Sequence, residues 1–160
     1  MNPLNSGRDL GVTWAGAVLA SLGGVNPNLN SLTERIIGAA IRVHRAVGPG
    51  LLEKSYEAAL SIELRRTGLP FERQVHYPVF YLEEWIGDYR VDLVVSDTVL
   101  VEIKSVERIE PLFEAQMLAY LRASRKPLGL LINFNSQLVA QGVRRFVNSQ
   151  APDDNEPPPR

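Results

Sequence analysis

The sequence predicts an α/β (α+β) domain in which a mixed central sheet is flanked by helices. Three observations lead there: two stretches of helical periodicity before residue 68, three consecutive strand-like segments between residues 71 and 104, and a further helix and buried strand after residue 110. Helix, helix, strand, strand, strand, helix, strand is an order that layered domains produce, because each amphipathic helix must cover an apolar sheet face.

The first helix is expected from Ser31, since Ser31 and Glu34 have the spacing of a capping box. Ile36, Ile37, Ala40, Ile41, Val43, Ala46 and Val47 then recur at helical intervals. Gly48-Pro49-Gly50 breaks the chain. A second helix, from about Leu51 to Thr67, is expected to bury Leu52, Tyr56, Ala59, Leu60 and Leu64, with Gly68 placed to end it. Strands are expected over about Phe71 to Leu82, Ile86 to Val95 and Val99 to Lys104, joined by the polar connections Glu83-Glu84 and Ser96-Asp97-Thr98. Pro111 suits the first turn of a helix that reaches about Ser124, because the amide it lacks has no intrahelical partner there. Leu128 to Asn133 reads as a buried strand and Val143 to Val147 as a shorter final one.

Composition narrows the chemistry. The 160 residues include no cysteine, which excludes disulfide scaffolds, iron–sulfur clusters, cysteine nucleophiles and cysteine zinc sites. His44 and His76 are the two histidines, so any metal must be a hard cation held by carboxylates. The formal net charge is −1, and residues 31–148 carry 15 basic against 14 acidic groups, so bulk charge advertises no nucleic-acid ligand. Residues 1–30 are expected to form a disordered or weakly structured leader. Their apolar run from Leu10 to Leu22 is too short to span a bilayer, which takes about 20 residues. A signal-peptide core cleaved after Val18-Leu19-Ala20 is the alternative, but the basic n-region is nearly missing. Residues 149–160 read as an acidic, proline-rich disordered tail. The folded domain is thus expected over residues 31–148, without a membrane segment and in the cytoplasm.

The informative region is Val91-Asp92-Leu93-Val94-Val95 followed by Val99-Leu100-Val101-Glu102-Ile103-Lys104. Alternation along a strand puts Glu102 and Lys104 on one face. If Ser96-Asp97-Thr98 closes an antiparallel hairpin, Val95 faces Val99 and Asp92 comes opposite Glu102, with β-carbons roughly 5 Å apart. A two-residue loop would shift that register by one, although the apolar alternation favours the count given. Two carboxylates facing each other cost stability unless a cation offsets them. Asp92, Glu102 and a backbone carbonyl, that of Ile103, supply the oxygens that Mg²⁺ or Mn²⁺ prefers, and Lys104 can hold a water or offset negative charge as it develops. The reading is metal-assisted hydrolysis of a phosphodiester. Taken singly, an Asp or an E-x-K pair on a strand is more often a solvated sheet face.

Asp92 with Glu102-Ile103-Lys104, a helix before and a helix and strand after, resembles the PD-(D/E)XK nuclease superfamily and its restriction-endonuclease-like αβββαβ core. Gly50-Leu51-Leu52-Glu53-Lys54-Ser55-Tyr56 is similar to the G-x-x-E-x-x-Y signature of one family in it. The resemblance implies metal-binding roles for Asp92 and Glu102 and a catalytic role for Lys104. It also makes Glu53, which the residues alone present as a surface acid, an extra metal or water ligand. Gln116-Met117-Leu118-Ala119-Tyr120 is similar to a Q-x-x-x-Y motif, whose spacing puts Gln116 and Tyr120 on one helix face as substrate contacts. A helix with one buried tyrosine is the bland alternative. Val91 stands where the superfamily's name has proline.

His44 reads as dipole compensation at a helix end. Arg65-Arg66, Arg122-Arg125-Lys126 and Arg144-Arg145 are candidates for phosphate contact. The expected partner is nucleic acid, DNA or RNA, with a homodimer or a partner protein as a second expectation. The rival is a module that keeps the nuclease fold but binds nucleic acid or protein without cutting.

Overall fold

The computed structural model describes residues 27–151, so the expectations for the leader and most of the tail lie outside the described residues. Helix α1 runs Pro27–Val47 and α2 Glu53–Arg66. They are followed by β1 (Phe71–Tyr81), β2 (Glu84–Val95), β3 (Val99–Lys104), α3 (Pro111–Ser124), β4 (Leu128–Asn133), a 3₁₀ turn (Val139–Gly142) and β5 (Val143–Val147). The five strands lie in sequence order, antiparallel except that β3 and β4 are parallel and joined through α3. Three helices on a five-stranded mixed sheet make an α+β fold consistent with a restriction-endonuclease-like core.

β3, α3, β4 and β5 have the boundaries read from the sequence. The largest difference is at the first helix, which starts at Pro27 and contains Ser31 instead of being capped by it. Thr33 Oγ1 donates to the Leu29 carbonyl at 2.6 Å, one turn back, as an interior residue does. Leu52, expected in the core, is 79% exposed because the chain is still extended there, ahead of the first turn of α2.

Both faces of the sheet are covered. Ile36, Ala40 and Val43 of α1 and Tyr56, Leu60 and Leu64 of α2 pack on Leu93, Val101, Ile103, Leu130 and Ile132. Met117 and Leu121 of α3 pack on Val91, Val94, Leu100 and Leu131. Central strands with two covered faces need unbroken apolar runs, and all six residues of β4 are buried. Gly129 lets α3 approach, since a Cβ there would overlap the sulfur of Met117.

The break between α1 and α2 is pinned by Tyr56. Gly48 and Gly50 take left-handed φ values of 68° and 99°, which L-residues with a Cβ rarely adopt. The Tyr56 hydroxyl donates to the Gly48 carbonyl at 2.6 Å and accepts from the Leu51 amide at 3.1 Å. Its ring is fully buried and stacks on Phe134 at 4.5 Å. Tyr56 thus clamps the Gly48–Leu51 turn that contains Gly50, the glycine of the G-x-x-E-x-x-Y stretch, and so sets where α2 begins and where Glu53 stands.

Candidate functional site

The register between β2 and β3 is Val95 with Val99, Val94 with Leu100 and Leu93 with Val101, so the next step outward sets Asp92 against Glu102. The ladder ends there because the Asp92 side chain takes over: Oδ2 accepts from the Ile103 amide at 2.8 Å. Glu102 is buried at 8% exposure, and Lys104 Nζ reaches its Oε1 at 3.3 Å. The same ammonium lies 4.7 Å from the centroid of the Phe113 ring on α3, a cation–π contact that holds it at the end of β3. Asp92, Glu102 and Lys104 therefore converge.

The carboxylates are held under tension. Glu102 Oε2 is buried without a hydrogen-bond partner among the described residues. Burial and then the charge of Asp92 push the Glu102 carboxyl up from 4.5 to about 7, Lys104 acting the other way. Asp92 is also raised, by burial first and then by Glu57, against the Ile103 amide, Gln74 and Lys104. A buried carboxylate with an unpartnered oxygen beside a half-buried one suits a hard divalent cation, which would supply the missing positive charge.

Gln116 and Tyr120 sit a turn apart on the α3 face toward the sheet. Tyr120 packs on Tyr89 of β2 at 5.1 Å, and its hydroxyl is raised by burial and by the charges of Glu102 and Asp92. Gln116 is half-buried and makes no side-chain hydrogen bond among the described residues. Glu53, exposed at the start of α2, accepts from the Ser105 amide at 3.3 Å, and Ser105 Oγ donates to the Leu51 carbonyl at 2.6 Å. Glu53 is thereby tied to the residue after Lys104, but not to the two carboxylates. Among the described residues no three His, Asp or Glu side chains form a ready metal cluster.

Sequence reasoning missed Glu57, one helical turn after Glu53. It is 6% exposed, accepts from Arg73 Nε and Gln74 Nε2, both at 2.8 Å, and its charge reaches Asp92. Gln74 Nε2 also reaches Asp92 Oδ1 at 3.3 Å, and its backbone is left-handed at φ 52°, a strained conformation that takes it out of the β1–β2 ladder beside Asp92. Asn133 was missed as well. At the end of β4 its amide donates to the Val106 carbonyl at 2.9 Å and its Oδ1 accepts from the Val106 amide at 3.1 Å, fixing the loop after Lys104. That loop borders a cavity of about 620 Å³ lined by Val106, Glu107, Arg108, Glu110 and Phe113.

The sequence profile of the PD-(D/E)XK nuclease superfamily matches residues 30–146. The chain belongs to this superfamily. No curated protein and no solved structure matches it. Superfamily membership places the Asp92, Glu102 and Lys104 geometry in a nuclease-like fold whose members generally use divalent metals.

The basic pairs do not gather at the site. Lys126 pairs with Asp97 at 2.6 Å at the far end of β3, where Arg66 also lies beside Glu63 and Arg65 over Phe71. Arg145 binds Asn30 at 2.8 Å, tying β5 to α1. His44 is also committed elsewhere, with Nε2 at 2.9 Å from the Ser136 carbonyl. Two arginines do lie beside the site: Arg73 pairs with Glu57 at 2.8 Å, and the charge of Arg90 acts on Tyr120. Among the described residues no helix is long and apolar enough to cross a membrane.

Proposed function

We propose that this chain is a divalent-cation-dependent nuclease of the G-x-x-E-x-x-Y type that hydrolyses phosphodiester bonds of DNA or RNA. The observation that carries the reading is the convergence of a buried and a half-buried carboxyl, both raised and the buried one with an unpartnered oxygen, on Lys104. Asp92, Glu102 and the Ile103 carbonyl would hold Mg²⁺ or Mn²⁺, which when bound activates water and neutralises the phosphate. Asp92 is aimed by the Ile103 amide and Gln74, so its remaining lone pairs face the site. Lys104, steadied by Glu102 and Phe113, presents an ammonium that orients the attacking water and offsets the charge building on the phosphoryl oxygens. Glu53, through Ser105, positions the chain end of β3 and offers a further carboxylate at the rim. Gln116 and Tyr120 line the α3 wall, where an amide and a hydroxyl suit phosphate and sugar oxygens.

The test is incubation of the protein with labelled single- and double-stranded DNA and RNA plus Mg²⁺ or Mn²⁺. Glu102→Ala and Lys104→Ala are expected to lower the rate by about 100-fold or more. Cleavage that persists in both variants overturns the assignment.

A second reading, a non-catalytic module that binds nucleic acid or protein, is favoured by one observation. Glu53 is occupied at Ser105, so a three-carboxylate cluster is not assembled among the described residues. Calorimetry with Mg²⁺ separates the two: retained nucleic-acid binding without any metal binding supports the second reading.

A further inference from the structure

β2 leaves the ladder at Asp92 on both sides. Toward β3 the register ends with Leu93 and Val101. Toward β1 the pairs Arg73 with Leu93 and Val75 with Val91 stand on either side of a gap, where Gln74 falls opposite Asp92. Two donors fill the opening, one from each neighbouring strand. The Ile103 backbone amide of β3 donates to Asp92 Oδ2 at 2.8 Å, and the side-chain amide of Gln74 on β1 donates to Oδ1 at 3.3 Å. Each carboxylate oxygen thus has one donor and keeps a lone pair for a cation.

Gln74 holds this place at a cost. Its φ of 52° is left-handed, a conformation in which a Cβ crowds the backbone. A kink in β1 would be met more cheaply by glycine or asparagine. Neither of those reaches as far as Gln74 does. Its Nε2 also donates to Glu57 Oε2 at 2.8 Å, so both amide hydrogens are spent on carboxylates. With two anionic acceptors, the amide cannot turn its oxygen toward them. Glu57 is itself fixed, because it is buried and its Oε1 accepts from Arg73 Nε at 2.8 Å. Both Glu57 oxygens are therefore occupied, and Glu57 acts on Asp92 through the Gln74 amide and its own charge.

We propose that Gln74, clamped by Glu57, is the residue that positions Asp92 for a divalent cation, and that the left-handed backbone at residue 74 serves this role. The role rests on the reading of Asp92 and Glu102 as cation ligands. Groups that orient a metal ligand without touching the metal change its affinity by about 10- to 100-fold. Arg73, Glu57, Gln74 and Asp92 form such a chain, running from α2 and β1 to the end of β3.

Calorimetric titration of Mg²⁺ and of Mn²⁺ into the full chain at pH 8 tests this, since Glu102, raised to about 7, is ionised there. Gln74→Met keeps the length of the side chain and removes the donors. Gln74→Gly suits the left-handed backbone and removes the reach, so it carries the test if the methionine variant misfolds. Both are expected to raise the Kd for the cation about 10- to 100-fold. Glu57→Gln is expected to raise it too, and by a smaller factor once Gln74→Met is present, because part of its effect passes through the amide. Urea unfolding of the same proteins separates positioning from folding. A residue that serves the fold alone lowers the urea midpoint and leaves the Kd of the folded protein unchanged, and that result overturns the proposal. Independent, fully additive effects of Glu57→Gln and Gln74→Met overturn it as well. A wild type that binds neither ion overturns the cation-dependent reading together with this role, whereas a wild type that binds while both Gln74 variants bind equally well overturns this role alone.

Discussion

Replacing Glu102 by Gln isolates the cost of the buried charge. The folded carboxyl titrates at about 7 against an ordinary 4.5, so the folded state binds the proton more tightly than the unfolded chain does. The stabilisation this gives is fully present below 4.5 and is lost as pH rises through about 7. At 1.36 kcal/mol per pH unit, the interval corresponds to about 3 kcal/mol for the metal-free protein. Glu102→Gln removes the penalty, offset in part because Lys104 loses its partner, so about 3 kcal/mol is the upper end. Urea unfolding in EDTA is expected to find the variant about equal to wild type near pH 4.5. At pH 8 its midpoint is expected to be higher by roughly 1–1.5 M, for a slope of about 2 kcal/mol/M. Mg²⁺ is expected to stabilise the wild type at pH 8 and the variant far less. A variant that is less stable than wild type at pH 8, or a difference that does not change with pH, refutes the reasoning. In that event the Lys104 ion pair outweighs desolvation.

The remaining predictions concern how the site is held. Glu57→Gln leaves Arg73 and Gln74 without their carboxylate and is expected to cost about 2 kcal/mol in chemical denaturation. It is also expected to lower the proposed nuclease activity by letting Gln74 drift from Asp92. Tyr56→Phe keeps the stack on Phe134 but strips both hydrogen bonds from the Gly48–Leu51 turn, for an expected loss of about 1–3 kcal/mol. Gly129→Ala pushes a methyl against Met117, and thermal melts are expected to report about 1–3 kcal/mol of overpacking.

Much of the frame, and the register that brings Asp92 toward Glu102, were legible. The two-residue period of β2 and β3 and the three-residue connection between them were enough to set Asp92 against Glu102, because a one-residue slip would have turned Val99, Val101 and Ile103 out of the core. The start of α1 was misread because Ser31 and Glu34 imitate a cap in a stretch where helix formation simply continues back to Pro27. The hairpin turn was placed late: β2 starts at Glu84 instead of Ile86, because the chain reverses at Leu82 and Glu83, both with left-handed φ.

By itself, then, the sequence determined the element order, the β2–β3 register and the acids and lysine of the candidate site. These follow from local periodicity and from the absence of cysteine, which act over a few residues or over the whole composition. Only the tertiary structure decided which acids are buried. Glu53 and Glu57 are a turn apart on one helix and indistinguishable as letters. Yet Glu57 is enclosed because Gln74, strained on β1, and Arg73 close over it, while Glu53 stays at the rim beside Ser105. Burial is set by what arrives from distant parts of the chain, and burial is what raises Glu102 and Asp92 and makes their pairing chemically useful.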